Sequence, residues 1–211
     1  MTEPVIIKRP DPARALPLLF DSPHSGNVFP DDMRAELSRH DLRSGEDAFI
    51  DELYEPAVDA GAVLLAATFP RTYIDANRSE ADIEVGALGG EWPHSVVNSG
   101  KIARGSGLVW TKLRGEVPIY DRKLSVNEVE NRIESYWRPY HSAVRAEYER
   151  LHAAFGRVYH INCHSMPRRG NKHTEDGPVE RADFVLGDRD GSTAGPIFVE
   201  LVRTFLAGRG Y

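Results

Sequence analysis

Twice in this chain a short apolar run ends in a polar stretch that carries a histidine followed by serine. The first is Leu18-Leu19-Phe20-Asp21-Ser22-Pro23-His24-Ser25-Gly26, and the second is Val158-Tyr159-His160-Ile161-Asn162-Cys163-His164-Ser165. Short apolar runs bounded by turn formers read as buried strands, and an α/β sheet gathers ligands where its strands end. Two histidines leaving two strands can therefore meet in one crevice, however far apart they lie in the chain. Two imidazoles and an acid are a common catalytic zinc set, and His24 and His164 would supply the imidazoles. The same residues would serve equally well as loop or core histidines, because no HExxH or paired-cysteine pattern announces a metal.

The rest of the chain alternates strand and helix signals. Leu16 to Phe20, Ala62 to Ala66 and Arg157 to Cys163 read as strands, with Phe184-Val185-Leu186 a further candidate. Phe49 to Ala60 has helical spacing that stops at Gly61, where a left-handed cap belongs. Ser125-Val126-Asn127-Glu128 is a capping box. It opens a stripe of Val126, Val129, Ile133, Trp137, Tyr140, Val144, Tyr148, Leu151 and Phe155 that Gly156 ends, with a kink expected at Pro139. Ile197 to Leu206 reads as a last helix. The segment from Glu84 to Tyr120 is broken by Gly86, Gly89-Gly90, Gly100, Gly105, Gly107 and Gly115, so a long surface excursion with a lid or substrate-binding role is expected. The alternation predicts an α/β domain with a largely parallel sheet.

Composition narrows the function. At 211 residues and 41% hydrophobic, the chain has material for one substantial core. Its 32 acidic and 26 basic residues, a net charge of -6, form no basic patch of the kind nucleic acid requires. A single cysteine makes no internal disulfide. Nothing resembles a signal peptide or a membrane span of roughly 18 apolar residues. A cytoplasmic protein acting on a small molecule is expected.

For the acid beside the histidines, Glu46 and Asp47 precede the helix expected near Phe49, and Asp47 is preferred. A second constellation is Arg71-Thr72-Tyr73-Ile74-Asp75-Ala76-Asn77-Arg78. Asn77 and Arg78 could hold an anionic substrate while Arg71 stabilises an oxyanion. For any single arginine the plainer reading is a surface pair with Asp75, Glu80 or Asp82. His141, beside the proline in the long helix, could reach substrate, as could Arg138. Cys163 is expected to face the core while His164 faces the cleft. Ser22, Ser25 and Ser165 lack a nucleophile-elbow setting and are expected to bond locally. Asp188 and Asp190 read as turn formers.

Taken together, Asp21-Ser22-Pro23-His24-Ser25-Gly26, Asp47 before Leu53-Tyr54, Arg71 to Arg78, Arg138-Pro139-Tyr140-His141, Cys163-His164-Ser165-Met166 and Leu186 to Gly191 resemble the N-formylglutamate amidohydrolase family in order and through nearly the whole chain. The resemblance implies a three-layer α/β fold, a mixed and largely parallel sheet flanked by helices as in the zinc exopeptidases of phosphorylase/hydrolase-like architecture. It implies one zinc ion on His24, Asp47 and His164, a carboxylate clamp at Asn77-Arg78, an N-acyl amino acid substrate and a place in histidine degradation. Residues 1–211 would form one hydrolase domain without the family's C-terminal segment, where its glutamate base is carried. Glu80, Glu84 and Glu175 are then the candidates by default, with Glu80 put forward beside Arg71. The family's Asp-Cys-His is Asn162-Cys163-His164 here, implying an amide in place of a carboxylate. The alternatives are a metallopeptidase or amidase for a different acyl group, and a non-catalytic carboxylate-binding relative.

Overall fold

A computed structural model of the chain describes residues 3–97, 99–114, 116–170, 172, 174 and 176–211. Gly115 and the candidate base Glu175 lie outside the described residues. The chain divides into two compact units, Met1–Ser165 and Met166–Tyr211.

The first unit carries strands β1 (Val5–Lys8), β2 (Leu18–Ser22), β3 (Val63–Ala67), the short pair β4 (Lys112–Leu113) and β5 (Val117–Pro118), and β6 (Tyr159–Asn162). Its helices are α1 (Arg39–Leu42), α2 (Ile50–Leu53), α3 (Pro56–Asp59), α4 (Val126–Arg132) and α5 (Arg138–Phe155). The main sheet has the order β1-β3-β2-β6. β2 runs parallel to both β3 and β6, with Asp21 opposite Leu65 and Asn162, and β1 pairs antiparallel with β3. The mixed, largely parallel sheet therefore matches the expectation. Strand β1, four residues long and ending in Lys8, is too short to stand out in the sequence.

Successive strand residues face opposite sides of the sheet. Leu19, Val63 and Leu65, all buried, face one side and pack with Leu151 and Val144 of α5. Phe20 faces the other, where its ring meets Tyr54 at the end of α2 at 5.6 Å. Helices thus cover both faces in three layers. Each such apolar side chain contributes about 1.5–3 kcal/mol by leaving water.

The expected helix from Phe49 to Ala60 is two short ones. Pro56 opens the second, having no N–H to continue the first. Phe49 stands before α2 at φ 65 and is exposed. Gly61, at φ +109, fills the left-handed position, and a Cβ there would lie 2.3 Å from the Arg14 carbonyl oxygen. The long helix forms as expected, but Pro139 is absorbed by a π-helical stretch, Ile133–Trp137, between α4 and α5. Ser125 caps Glu128 N–H, whereas the Glu128 carboxylate turns to Arg122 and Arg132, so only half of the capping box forms. Tyr148 and Phe155 of the predicted stripe are exposed.

The glycine-rich segment is not a surface excursion. It buries Leu88, Leu108, Val109, Leu113 and Ile119 in the larger core cluster. The long helix in turn holds the segment after β3. Arg132, wholly buried, donates to the Tyr73 carbonyl at 3.0 Å and the Tyr120 hydroxyl at 2.9 Å. Trp137 donates to the Arg78 carbonyl, and His141 Nε2 to the Ala76 carbonyl at 2.9 Å.

In the second unit, α6 (Pro196–Ala207) occupies the span expected for the last helix. Phe184-Val185-Leu186 forms no strand and is exposed. Arg189 and Asp190 take positive φ beside Asp188, whose carbonyl accepts from Thr193 N–H, so this stretch is a turn as expected. Among the described residues, no helix is long and apolar enough to cross a membrane.

Candidate metal centre

Three neighbouring parallel strands end at the same edge of the sheet, and each delivers part of one site. β2 leads to His24, β6 to His164, and β3 to Arg71, Asp75 and Asn77. Asp47 arrives from the loop before α2, where its N–H donates to the His24 carbonyl at 3.0 Å. Gly26 lets the His24 loop lie against the end of β3. A Cβ there would stand 2.4 Å from the Phe69 carbonyl oxygen and 2.5 Å from the Thr68 carbonyl carbon, so only glycine fits.

His24, Asp47 and His164 each offer one ligand atom, and these atoms lie within 4.8 Å of one another. Asp47 Oδ2 is 3.3 Å from His24 Nδ1 and 2.9 Å from His164 Nδ1. Donors held about 2.0–2.1 Å from one tetrahedral ion stand roughly 3.4 Å apart, so the two spacings to Asp47 are those of groups able to share a metal ion. His24 and Asp47 are buried, while His164 has about a third of its side chain exposed.

The His24 ring nitrogen turned away from Asp47 meets a second carboxylate. His24 Nε2 lies 2.7 Å from Asp75 Oδ1. Asp75 is wholly buried, and its Oδ2 accepts from Arg71 Nε and Nη2 and from Trp110 Nε1 at 3.1 Å, while Oδ1 also accepts from Asn77 N–H. Burial opposes ionisation of Asp75, yet His24, Arg71 and Arg78 outweigh it and hold the carboxyl far below its ordinary range. An ionised carboxylate only accepts, so Nε2 of His24 carries the proton. In the neutral ring, the Nδ1 lone pair then faces the Asp47 carboxylate across 3.3 Å. Two facing acceptors need either a second proton on Nδ1, which lets the ring donate to both acids, or a metal cation between them, and the donor set fits a divalent metal.

Asp47 is likewise buried against ionisation, and bonds from His164 and His24 with the charge of Arg71 prevail, so its carboxyl sits far below the usual range. Arg71 spans the two acids, with Nη1 3.4 Å from Asp47 Oδ1 and its guanidinium 4.9 Å from the centre of the Trp110 ring. Asn77 places its amide between His164 Nε2 at 3.1 Å and Asn162 at 3.2 Å. Arg78 donates to the Ser106 and Asn77 carbonyls and has no carboxylate ion pair among the described residues. The His141 ring lies tilted against Trp137, centroids 4.0 Å apart, behind the Ala76 backbone, and burial lowers its pKa.

Glu46 points to Arg43. Glu80 pairs with Arg138 at the surface at 2.6 Å, and Glu84 accepts from Thr111. No glutamate joins the three ligand atoms among the described residues. Ser22 and Ser25 hydrogen-bond to each other at 2.8 Å. Cys163 is buried, its thiol pushed up to about 12 by burial and by Asp21. Asp75 and Trp110 are the members of the site that sequence reasoning misses. Asp75 reads in the sequence only as a partner for arginine, and Trp110 lies in the segment that its glycines place at the surface.

The N-formylglutamate amidohydrolase family model matches residues 16–211. An N-formylglutamate deformylase of Pseudomonas putida is 33% identical over 191 residues, covering 88% of this chain and 64% of the relative. One of Pseudomonas aeruginosa is 28% identical over 200 residues, covering 93% and 68%. The chain thus spans about two thirds of the length of these curated relatives. The crystal structure of an N-formylglutamate amidohydrolase from Ralstonia eutropha JMP134 matches at a TM-score of 0.92 and 45% identity, over 100% of this chain and 75% of that one. With the family model covering all but the first residues and the α/β architecture shared throughout, the chain belongs to the N-formylglutamate amidohydrolase family.

Proposed function

We propose that the chain hydrolyses the formamide C–N bond of N-formyl-L-glutamate, or of a similar N-acyl amino acid, with one zinc ion held by His24, Asp47 and His164. The observation that carries this reading is the set of three ligand atoms within 4.8 Å at the ends of adjacent strands, in a member of this family. A zinc ion bound there supplies Lewis acidity, which polarises an amide carbonyl and lowers a water's pKa from 15.7 toward about 7.

The protein's own residues do the rest. Asp75 holds the His24 proton on Nε2 and so presents Nδ1. Arg71 offsets the charge of Asp47 and Asp75, and its Nη1 edge, the longest of its contacts, is the part able to turn toward an oxyanion. Arg78, which lacks a carboxylate partner among the described residues, takes the substrate's α-carboxylate with Asn77. His141 supports the backbone just before that pair. Glu80 would have to leave Arg138 before it could take a proton.

The test is metal analysis of the purified chain and an assay of formate release from N-formyl-L-glutamate, with chelation and zinc restoration. Acetyl and dipeptide substrates run alongside define the acyl group. Stoichiometric zinc with chelator-sensitive formate release is expected. Neither zinc nor turnover would overturn the reading.

A further inference from the structure

From the Ala76 carbonyl to the Arg78 carbonyl, every backbone polar group is paired. Asn77 N–H donates to Asp75 Oδ1 at 2.8 Å and Arg78 N–H to the Asp75 carbonyl at 3.1 Å, while the Asn77 carbonyl accepts from Arg78 Nη1. The two outer carbonyls are taken by the long helix, that of Ala76 by His141 Nε2 at 2.9 Å and that of Arg78 by Trp137 Nε1 at 3.0 Å. Only the side chains of Asn77 and Arg78 are left to adjust.

The helix reaches this segment with three residues, because Arg132 also donates to the Tyr73 carbonyl. Arg132 and Trp137 are five positions apart, and in an unbroken α-helix five residues turn through about 500°, which leaves such a pair about 140° out of line. The π-helical stretch Ile133–Trp137, after which Arg138 N–H bonds back to the Ile133 carbonyl, absorbs one extra residue. The pair then stands as residues four apart do, about 40° from alignment, and His141 follows at the next such step. Single π-turns inside α-helices are frequent at functional sites. The rings of Trp137 and His141 lie against each other, centroids 4.0 Å apart, so each donor steadies the other. Indole is uncharged and burial lowers the pKa of His141, so the two hold the backbone without drawing an anion to themselves.

We propose that Trp137 and His141 are positioning residues that make the site prefer substrates with a free α-carboxylate, by holding the Asn77-Arg78 backbone in place. This rests on the reading of Asn77 and Arg78 as the carboxylate clamp.

Trp137→Phe and His141→Phe each remove one donor and keep a ring, whereas His141→Gln returns an N–H at similar reach. The experiment combines amide hydrogen exchange with kinetics on N-formyl-L-glutamate and on its α-amide, and Arg78→Ala serves as the control. In both Phe variants the Asn77 and Arg78 amides should exchange about tenfold faster while Leu64 and Leu65 of β3 keep their rates. KM for N-formyl-L-glutamate should rise about tenfold at nearly constant kcat. KM for the α-amide and zinc affinity should stay within about twofold, and His141→Gln should recover most of the loss. A merely structural role would speed exchange in β3 as well and weaken both substrates alike, and that result overturns the proposal, as does wild-type exchange at Asn77 and Arg78. Loss of the acid preference in Arg78→Ala but not in the Phe variants overturns the positioning role and leaves the clamp standing. An Arg78→Ala protein that keeps the preference, or a wild type that shows none, overturns the clamp and the selectivity built on it.

Discussion

His24 donates its Nε2 proton to Asp75 Oδ1 across 2.7 Å, between two side chains that are both essentially sealed from solvent. Asp75 is also the meeting point of Arg71, Trp110 and the Asn77 backbone. An asparagine in its place would keep the shape but set an NH2 against donors on one side or the other. Asp75→Asn should therefore destabilise the metal-free protein by about 3–5 kcal/mol, as removal of one partner from a buried ion pair does. Zinc affinity should fall about 10–100-fold. Urea unfolding and chelator competition measure the two effects, and a variant as stable as wild type would show that Asp75 does not anchor the site.

Gly26 is constrained by space rather than by dihedral angle. Its α-carbon faces the backbone at the end of β3, where a methyl would meet three main-chain atoms within 2.6 Å. None of these is the flexible end of a side chain, so either the His24 loop or β3 must move. Gly26→Ala should cost about 1–3 kcal/mol of stability, in the range of overpacked interiors. It should also displace His24 from Asp47. Unaltered zinc binding and thermal unfolding in this variant would rule out the close approach.

Strands β2, β3 and β6 are legible because each is a short apolar run bounded by turn formers, and the long helix because its apolar residues follow a period of 3.6. His24 and His164 stand out because each follows an apolar strand, Asp47 is the preferred acid before the next helix, and the family resemblance joins the three into one metal set. What stays hidden depends on distant packing. Asp75 looks like any acid among arginines until the fold buries it under His24. Trp110 sits between glycines that suggest a surface loop, yet Leu108, Val109 and Leu113 around it fill the core. Phe184-Val185-Leu186 has strand composition but takes no strand partner, since strand propensity is realised only where a pairing edge exists.

Glu128 gives a pH dependence far from the metal ligands. Burial works to raise its pKa, but the bonds from Arg122 and the charge of Arg132 outweigh it and hold the carboxyl below its ordinary value of 4.5. The folded protein thus binds this proton less readily than the unfolded chain. The resulting stability is fully present above pH 4.5 and is lost as pH falls through the folded pKa. Glu128→Gln should flatten the acid limb of the stability curve below that point. It should also lower stability at neutral pH, because buried Arg132 loses its charged partner. Parallel acid limbs for variant and wild type would contradict the assignment.

Cys163 stands beside His164 in sequence but on the opposite side of the chain, buried and donating to the Ile161 carbonyl. A thiol pushed up to about 12 holds almost no thiolate near neutrality, and the thiolate is the reactive form. Native protein should therefore resist an aromatic disulfide reagent at about pH 8, near the ordinary thiol pKa, while urea-unfolded chain reacts at once. Cys163→Ala should keep zinc binding and any formate release within about twofold of wild type, losing only a small amount of packing. Rapid labelling of the native protein accompanied by loss of turnover would reinstate the cysteine as a participant, and with it a nucleophilic route that the buried geometry argues against.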